Sequence, residues 1–523
     1  MGPEPLRRRL IVAALAAALA VPAQAAVPRA PLAPARSRIG EDAVLAHAAT
    51  LAQAGDCRAV LALLDPKIAG GAGAGSPTRF SAQLLRLPCL AAAGRGGEVV
   101  GVLAELKQVS PTNPVVQGYE IFADVDAGHY AQAADNLGAV ADSRSKALAL
   151  MPGDLWQTLA RQLTLSGDIA RRDRVALSLA LADWDPSDQP QLSESIAADG
   201  IGTLLDSHAD DDARQMLGRV HRPALLWEMA LEHRYAALWP AIEARLGPAG
   251  GRAIDRYARI ALDSYAAAPQ DPQAEVDAAQ AFLALGRFED VSSIAGAIAI
   301  APHMSDKQVD LVLADAEALA AAGAHDKALD RLRPFAHADL KASPDAAGAL
   351  IPLAEMLDQA GRYDEELAVA TQGAADTAYL SPFGLAWLQR NRVCALTGLG
   401  RAVDAKAAGD ALKAASKDNP AAAIEGLLCA GRDDEAAVIA VATLATPEGA
   451  DSLADQFQPD GALLPHSPSR LRALWARLLT RADVRAAFDR TARIMPKPYW
   501  PSVTPRPLPA PPSDGTGDGL TTT

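Results

Sequence analysis

Aromatic residues are scarce in this chain, 4% of 523 positions, and cysteine (4) and methionine (7) are scarcer still. A β-sandwich or barrel draws its core from β-branched and aromatic side chains, so the shortage argues against an all-β fold. Past the N-terminal region no run approaches 18 uninterrupted apolar residues, and no transmembrane helix is expected in the remainder of the chain. Basic residues are outnumbered, 49 Lys and Arg against 63 Asp and Glu, for a net charge of −14. Phosphate backbones and anionic lipid surfaces are held by basic patches, so nucleic acid and charge-driven membrane binding are excluded as expected partners. The cysteines show no C-x-x-C spacing, which removes the usual pattern for structural zinc or thioredoxin-type chemistry. What the chain has in excess is alanine, within a hydrophobic fraction of 50%. Alanine-rich, aromatic-poor sequence suits closely packed helices.

The N-terminus carries a specific signal. Arg7, Arg8 and Arg9 precede an apolar run from Leu10 to Val21, followed by Ala23, Gln24 and Ala25. A basic n-region, a short apolar h-region and a small-x-small site make a secretory signal peptide, with the mature chain expected to begin near Ala26. The run is too short for a bilayer span, which takes about 20 residues. Arg7-Arg8-Arg9-Leu10-Ile11 also resembles the core of a twin-arginine export signal, and both export routes stay open. A periplasmic or secreted protein of bacterial type is the expectation. In such an oxidising compartment disulfides are permitted.

One short phrase recurs along the chain: a small residue, glycine, a polar residue, then the start of a new apolar-periodic stretch. Its glycines are Gly55, Gly94, Gly128, Gly167, Gly286, Gly323, Gly361, Gly400 and Gly431, with gaps of 39, 34, 39, 119, 37, 38, 39 and 31 residues. A fixed period of this size is the mark of a repeat array. Glycine ends one helix in the left-handed conformation, and a polar or acidic residue such as Asp364 or Asp434 caps the next helix or complements its dipole. Five residues past the glycine stands a small or β-branched residue (Val60, Val99, Ala133, Val291, Ala328, Ala405, Ala436), which lets paired helices approach closely. Arg172 and Glu366 break that rule. The long gap is expected to hold degenerate turns near His208–Asp211 and His233–Tyr235. Prolines 66, 186, 269, 302 and 420 are expected to stop second helices.

This turn resembles the inter-helix turn of the tetratricopeptide repeat, with Ala360-Gly361-Arg362-Tyr363 and Ala127-Gly128-His129-Tyr130 the nearest copies. The resemblance implies an all-α fold, an α-solenoid of antiparallel helix pairs, with a protein or peptide as partner. The expected organisation is a signal peptide (1–25), a disordered leader (26–39), about ten to eleven helix pairs (40–445), a linker (446–467), a small helical C-terminal cap (468–501) and a disordered tail (502–523). Trp475, Phe488 and Trp500 are expected to cover the last repeat.

No catalytic constellation emerges. The nine histidines are scattered without H-E-x-x-H; the glycine loop at 70–75 lacks the lysine of a phosphate-binding loop; G-x-S-x-G is absent. Ser143-Arg-Ser-Lys146 matches S-x-x-K without its companion motifs, and Asp210-Asp211-Asp212 reads as helix-start acid. No cofactor or metal site is expected. Cys57 with Cys89 and Cys394 with Cys429 are possible disulfides. The second pair lies on first helices of adjacent repeats, whose axes should run about 8–10 Å apart, a less favourable geometry. Trp387, Arg390 and Asn391 fall on one side of a first helix, an aromatic, a planar cation and an amide suited to a partner groove; packing between helices is the other reading of Trp387. The function expected is an exported scaffold in envelope assembly, secretion or surface-polymer export, with a subunit of a peptidoglycan- or polysaccharide-processing complex as the alternative. Oligomeric state is left open.

Overall fold

The computed structural model describes residues 35–70, 76–189, 191–375, 379–446, 449–462, 469–502 and 504–509. The expected signal peptide lies outside them. The chain divides into two compact units, one reaching Arg219 and the other beginning at Val220.

The first unit alternates first and second helices in five pairs: α1 (Ala35–Gln53) with α2 (Cys57–Ala69), α3 (Pro77–Ala92) with α4 (Gly96–Val109), α5 (Pro114–Asp126) with α6 (Tyr130–Asp142), α7 (Gly153–Ser166) with α8 (Ile169–Leu181), and α9 (Leu192–Asp206) with α10 (Asp210–Met216). Helix α1 starts inside the stretch expected to be leader. In the second unit α11 (Pro223–Leu231) and α12 (Trp239–Leu246) flank a 3-10 turn at His233–Leu238, and α13 (Gly251–Ala267) stands without a second helix of its own. Regular pairing resumes with α14 (Pro272–Ala284) and α15 (Phe288–Ala295), α16 (Asp306–Ala321) and α17 (His325–Leu332), α18 (Leu350–Gln359) and α19 (Tyr363–Ala375), α20 (Pro382–Gly398) and α21 (Ala402–Ala414), α22 (Pro420–Cys429) and α23 (Asp433–Leu444). Helices α24 (Gly449–Leu453), α25 (Arg470–Leu479) and α26 (Ala482–Thr491) follow. Among the described residues the sole β pairing is an isolated bridge between Glu232 and Ala492. Each unit is all-α and built mainly from consecutive helix pairs packed on one another.

The repeated turn explains the pairing. All nine phrase glycines have φ between 67° and 78°, a conformation that L side chains resist. In each case the next residue's amide reaches a carbonyl five positions back, as from Asp56 to Leu51 and from Arg432 to Leu427, which closes the helix end. His208, φ 61°, takes the glycine's place between α9 and α10, where a degenerate turn was expected. Five turns add a clamp that the phrase itself spells out: arginine after the glycine binds an acid three residues on. The pairs are Arg95–Glu98, Arg287–Asp290, Arg362–Glu365, Arg401–Asp404 and Arg432–Glu435. Asp364 and Asp434 lie in the first turns of α19 and α23, where their charge complements the helix dipole.

Two proline expectations need correction. Pro66 lies inside α2, and Pro420 is the first residue of α22 rather than the stop of a preceding helix. At the first helical position the missing N–H has no partner to lose. The chain uses this device repeatedly, with a capping side chain just before: Ser76-Pro77, Asn113-Pro114, Asp271-Pro272, Ser381-Pro382 and Asn419-Pro420.

Both cysteine pairs lie at disulfide distance, Cα–Cα 4.8 Å for Cys57–Cys89 and 5.1 Å for Cys394–Cys429. At the second pair Gly426 lets α22 lie close against α20, a Cβ there sitting 3.7 Å from the Arg390 Cα, and the two cysteine Cα atoms come within bonding range. The stretch expected to be a linker also contributes structure, namely α24 and the buried Phe457, whose ring meets Trp475 at 4.9 Å and Phe488 at 5.3 Å, edge to face.

Candidate functional site

The first-helix face of α18, α20 and α22 is where the sequence places a partner groove. Ser381 caps α20 by accepting from the Gly384 amide, and Pro382 starts it. Along this helix Phe383 is 56% exposed, Trp387 is half-buried, and Arg390 and Asn391 are buried at 2% and 0%. Arg390 and Asn391 are therefore corrected from partner contacts to interior residues. The reason is the C-terminal module, which folds back over their half of the face.

Arg390 is held on several sides. It pairs with Glu355 of α18 and with Glu425 of α22, its Nε 3.0 Å from Glu425 Oε2, and its Nη1 donates to Asn391 Oδ1. The Asn391 amide donates in turn to the Ile351 carbonyl at 3.5 Å. Helix α25 closes the cluster. Trp475 Nε1 donates to Glu425 Oε1 at 2.8 Å, and Arg470 Nε donates to Asp358 Oδ2 at 2.6 Å. Burial opposes the charge on Arg390, yet the Glu425 and Glu355 carboxylates outweigh it and raise its pKa. Burial likewise pushes Glu425 up while the Arg390 guanidinium pulls it down, and the net shift is upward.

Glu366 of α19 completes this buried region. It stands five residues past Gly361, the position that elsewhere holds a small residue, and is fully buried. Burial, then the nearby Asp358 charge, moves its carboxyl well above the ordinary carboxylate range. Neither of its oxygens has a well-formed hydrogen bond. A neutral acid is what such a position tolerates.

The open half of α20 is different. Phe383 and Trp387, one helical turn apart, meet edge to face at 6.3 Å, and Arg390 underpins Trp387 with its guanidinium 4.9 Å from the ring centre. A half-buried aromatic braced by a buried, fixed cation, with an exposed aromatic beside it, is a preorganised contact surface. Phe383 was not singled out from sequence, although its i, i+4 spacing to Trp387 is legible there. In the first unit an apolar recess of about 250 Å³ opens beside Val99, Val100, Tyr119 and Phe122.

The other residues weighed from sequence have local roles. Ser143 ends α6, and Ser145 caps a 3-10 turn while donating to Gln117 Oε1 at 2.6 Å. Asp210, Asp211 and Asp212 occupy the first turn of α10, as expected of helix-start acids. Of the expected cap aromatics, Trp475 and Phe488 are buried at the end of the array, but Trp500 is not with them. It donates to the Met495 carbonyl at 2.7 Å, next to the turn Lys497–Tyr499, which packs on the turn Pro248–Gly250. The segment expected to be a disordered tail is also placed in part: Arg506 binds Asp255 through both carboxylate oxygens, at 3.0 and 2.7 Å.

No family model matches the chain, and no curated protein matches it. Among solved structures, the tetratricopeptide repeat domain of P58(IPK) is similar over 86% of this chain and 99% of its own, at 14% identity and a TM-score of 0.19.

Proposed function

We propose that this chain is an exported, non-catalytic scaffold that holds a protein or peptide partner through the solenoid's first-helix face, in cell-envelope assembly, secretion or surface-polymer export. The observation that carries this reading is the Phe383–Trp387 pair, apolar and open on a face whose remainder is sealed by the chain's own C-terminal module. Exposed aromatics anchored on a rigid helix are typical of interface hot spots. Export is supported by the basic and apolar stretch ending at Ala25 and by two cysteine pairs at bonding distance. Among the described residues no helix is long and apolar enough to cross a membrane, which fits a partner met outside the bilayer.

The test is affinity capture of the mature chain from its own envelope after crosslinking, in parallel for the parent and for Phe383→Ala/Trp387→Ala. Loss of a defined partner from the variant, with helicity unchanged by circular dichroism, supports the reading. The same partners at the same yield would overturn it.

A further inference from the structure

One turn of the first unit lacks a side chain that the others have. Two residues past the nine phrase glycines stand Cys57, Gly96, Tyr130, Ile169, Phe288, His325, Tyr363, Ala402 and Asp433, so the turn after Gly94 alone has glycine there. Tyr363 and Cys57 show what the position does. The Tyr363 ring lies on the next first helix, its carbons 2.5 Å from where a Cβ at Gly398 would stand, and Cys57 meets Cys89 of the next first helix at disulfide distance. At Gly96, the first residue of α4, a Cβ would meet nothing within 4 Å, and the same holds at Gly97 and Gly101. The space so left is the recess of about 250 Å³, lined by Gly96 and Val100 on one side and by Tyr119, Phe122 and Asp126 of α5 on the other. Asp126 stands two residues before Gly128, as Gly398 stands two before Gly400. The recess is therefore the slot that Tyr363 fills in its own repeat.

The slot is apolar inside and acidic at its lip. Tyr119 and Phe122 are buried and meet edge to face at 5.9 Å, while Val100 on the other wall is exposed. The Tyr119 hydroxyl has no hydrogen-bond partner among the described residues, and burial pushes its pKa up, so it stays a protonated donor. A buried donor without an acceptor costs stability until something supplies one. Asp126 is exposed, Glu120 and Asp124 stand on the same helix, and α5 carries no basic residue. The guanidinium of Arg95, beside Gly96, is already held by Glu98 and Asp65. We propose that this slot takes an aromatic side chain from a partner protein, on a segment with lysine or arginine next to the aromatic residue. The ring stands in for the missing turn side chain, and the flanking cation meets Asp126. Gly96 is what keeps the slot open, since its φ is not positive and its backbone does not call for glycine. The site lies within the first unit and stands independently of the Phe383–Trp387 surface.

The experiment uses the full mature chain and the probe Ac-Lys-Phe-Lys-NH2, its phenylalanine para-fluorinated and followed by fluorine NMR. The expected result is saturable binding, weakened about fivefold or more in the Ac-Glu-Phe-Glu-NH2 counterpart and in Asp126→Lys. Gly96→Tyr should fill the slot from within, as Tyr363 does in its repeat. That variant should bind about tenfold or more weakly while melting no lower than the parent. Phe383→Ala/Trp387→Ala should bind the probe as the parent does, which keeps this site apart from the partner face of the second unit. No saturable binding to the parent, loss of binding in Phe383→Ala/Trp387→Ala, or undiminished binding by a folded Gly96→Tyr chain would overturn the proposal. If Gly96→Tyr does not fold, undiminished binding by Asp126→Lys overturns it instead.

Discussion

Glu366 shows what one residue does when it stands where the repeat calls for alanine or valine. Its carboxyl sits among buried groups, with Asp358 raising its pKa further and Arg390 and Arg470 opposing. An acid whose folded pKa lies above its unfolded value, near 4.5, retains in the folded state a proton that the unfolded state has lost. Its cost to stability is therefore absent below that pH and grows as pH rises toward the folded value. Glu366→Gln should stabilise the protein at pH 8 by more than about 1 kcal/mol and change little at pH 4, as read from denaturant midpoints. A second residue-scale test is Gly398, where a Cβ would stand 2.5 Å from the Tyr363 ring carbons. The turn aromatic of one repeat packs on that bare backbone of the next, so Gly398→Ala should cost about 1–3 kcal/mol despite alanine's better helix propensity.

At the scale of elements, the disulfides tie neighbouring repeats. Cys57–Cys89 joins the second helix of one pair to the first helix of the next, and Cys394–Cys429 joins two first helices across sequence separations of 32 and 35 residues. Non-reducing peptide mapping should return these two links, and Cys394→Ala/Cys429→Ala should lower stability by about 2–4 kcal/mol. Helix α25 is the keystone of the covered face. Trp475→Ala would remove a large buried ring and strip Glu425 of its hydrogen bond, a loss of about 3–5 kcal/mol. Limited trypsin should then cut at Arg470 and Arg472, whose side chains in the intact protein bind Asp358 and the carbonyls of Asp455 and Gln456.

Across the whole molecule, what was legible in the sequence is what local chemistry decides. The nine turn glycines, the substitution at His208 and the first cysteine pair follow from spacing and backbone preference. The misread residues depend on partners far along the chain. Arg390 and Asn391 read as a surface because nothing near them reveals that Arg470 and Trp475 return to cover their side of α20. Residues 504–509 read as disorder because a proline-rich stretch builds no core of its own; their order comes from Asp255 and Leu285, some 220 to 250 residues earlier. Pro420 shows the same limit on a smaller scale, since proline marks a helix boundary without saying which side of it, while Pro66 lies inside α2.

The C-terminal segment docks on the helices of the second unit instead of hanging free. Amide hydrogen exchange at Arg493 and Arg506 tests it most directly. Neither residue is in a helix, and each donates its amide to a distant carbonyl, Leu231 and Leu285 at 2.8 Å. Both amides should exchange far more slowly than in an unstructured peptide of the same sequence. Exchange at the unstructured rate at both positions would contradict it.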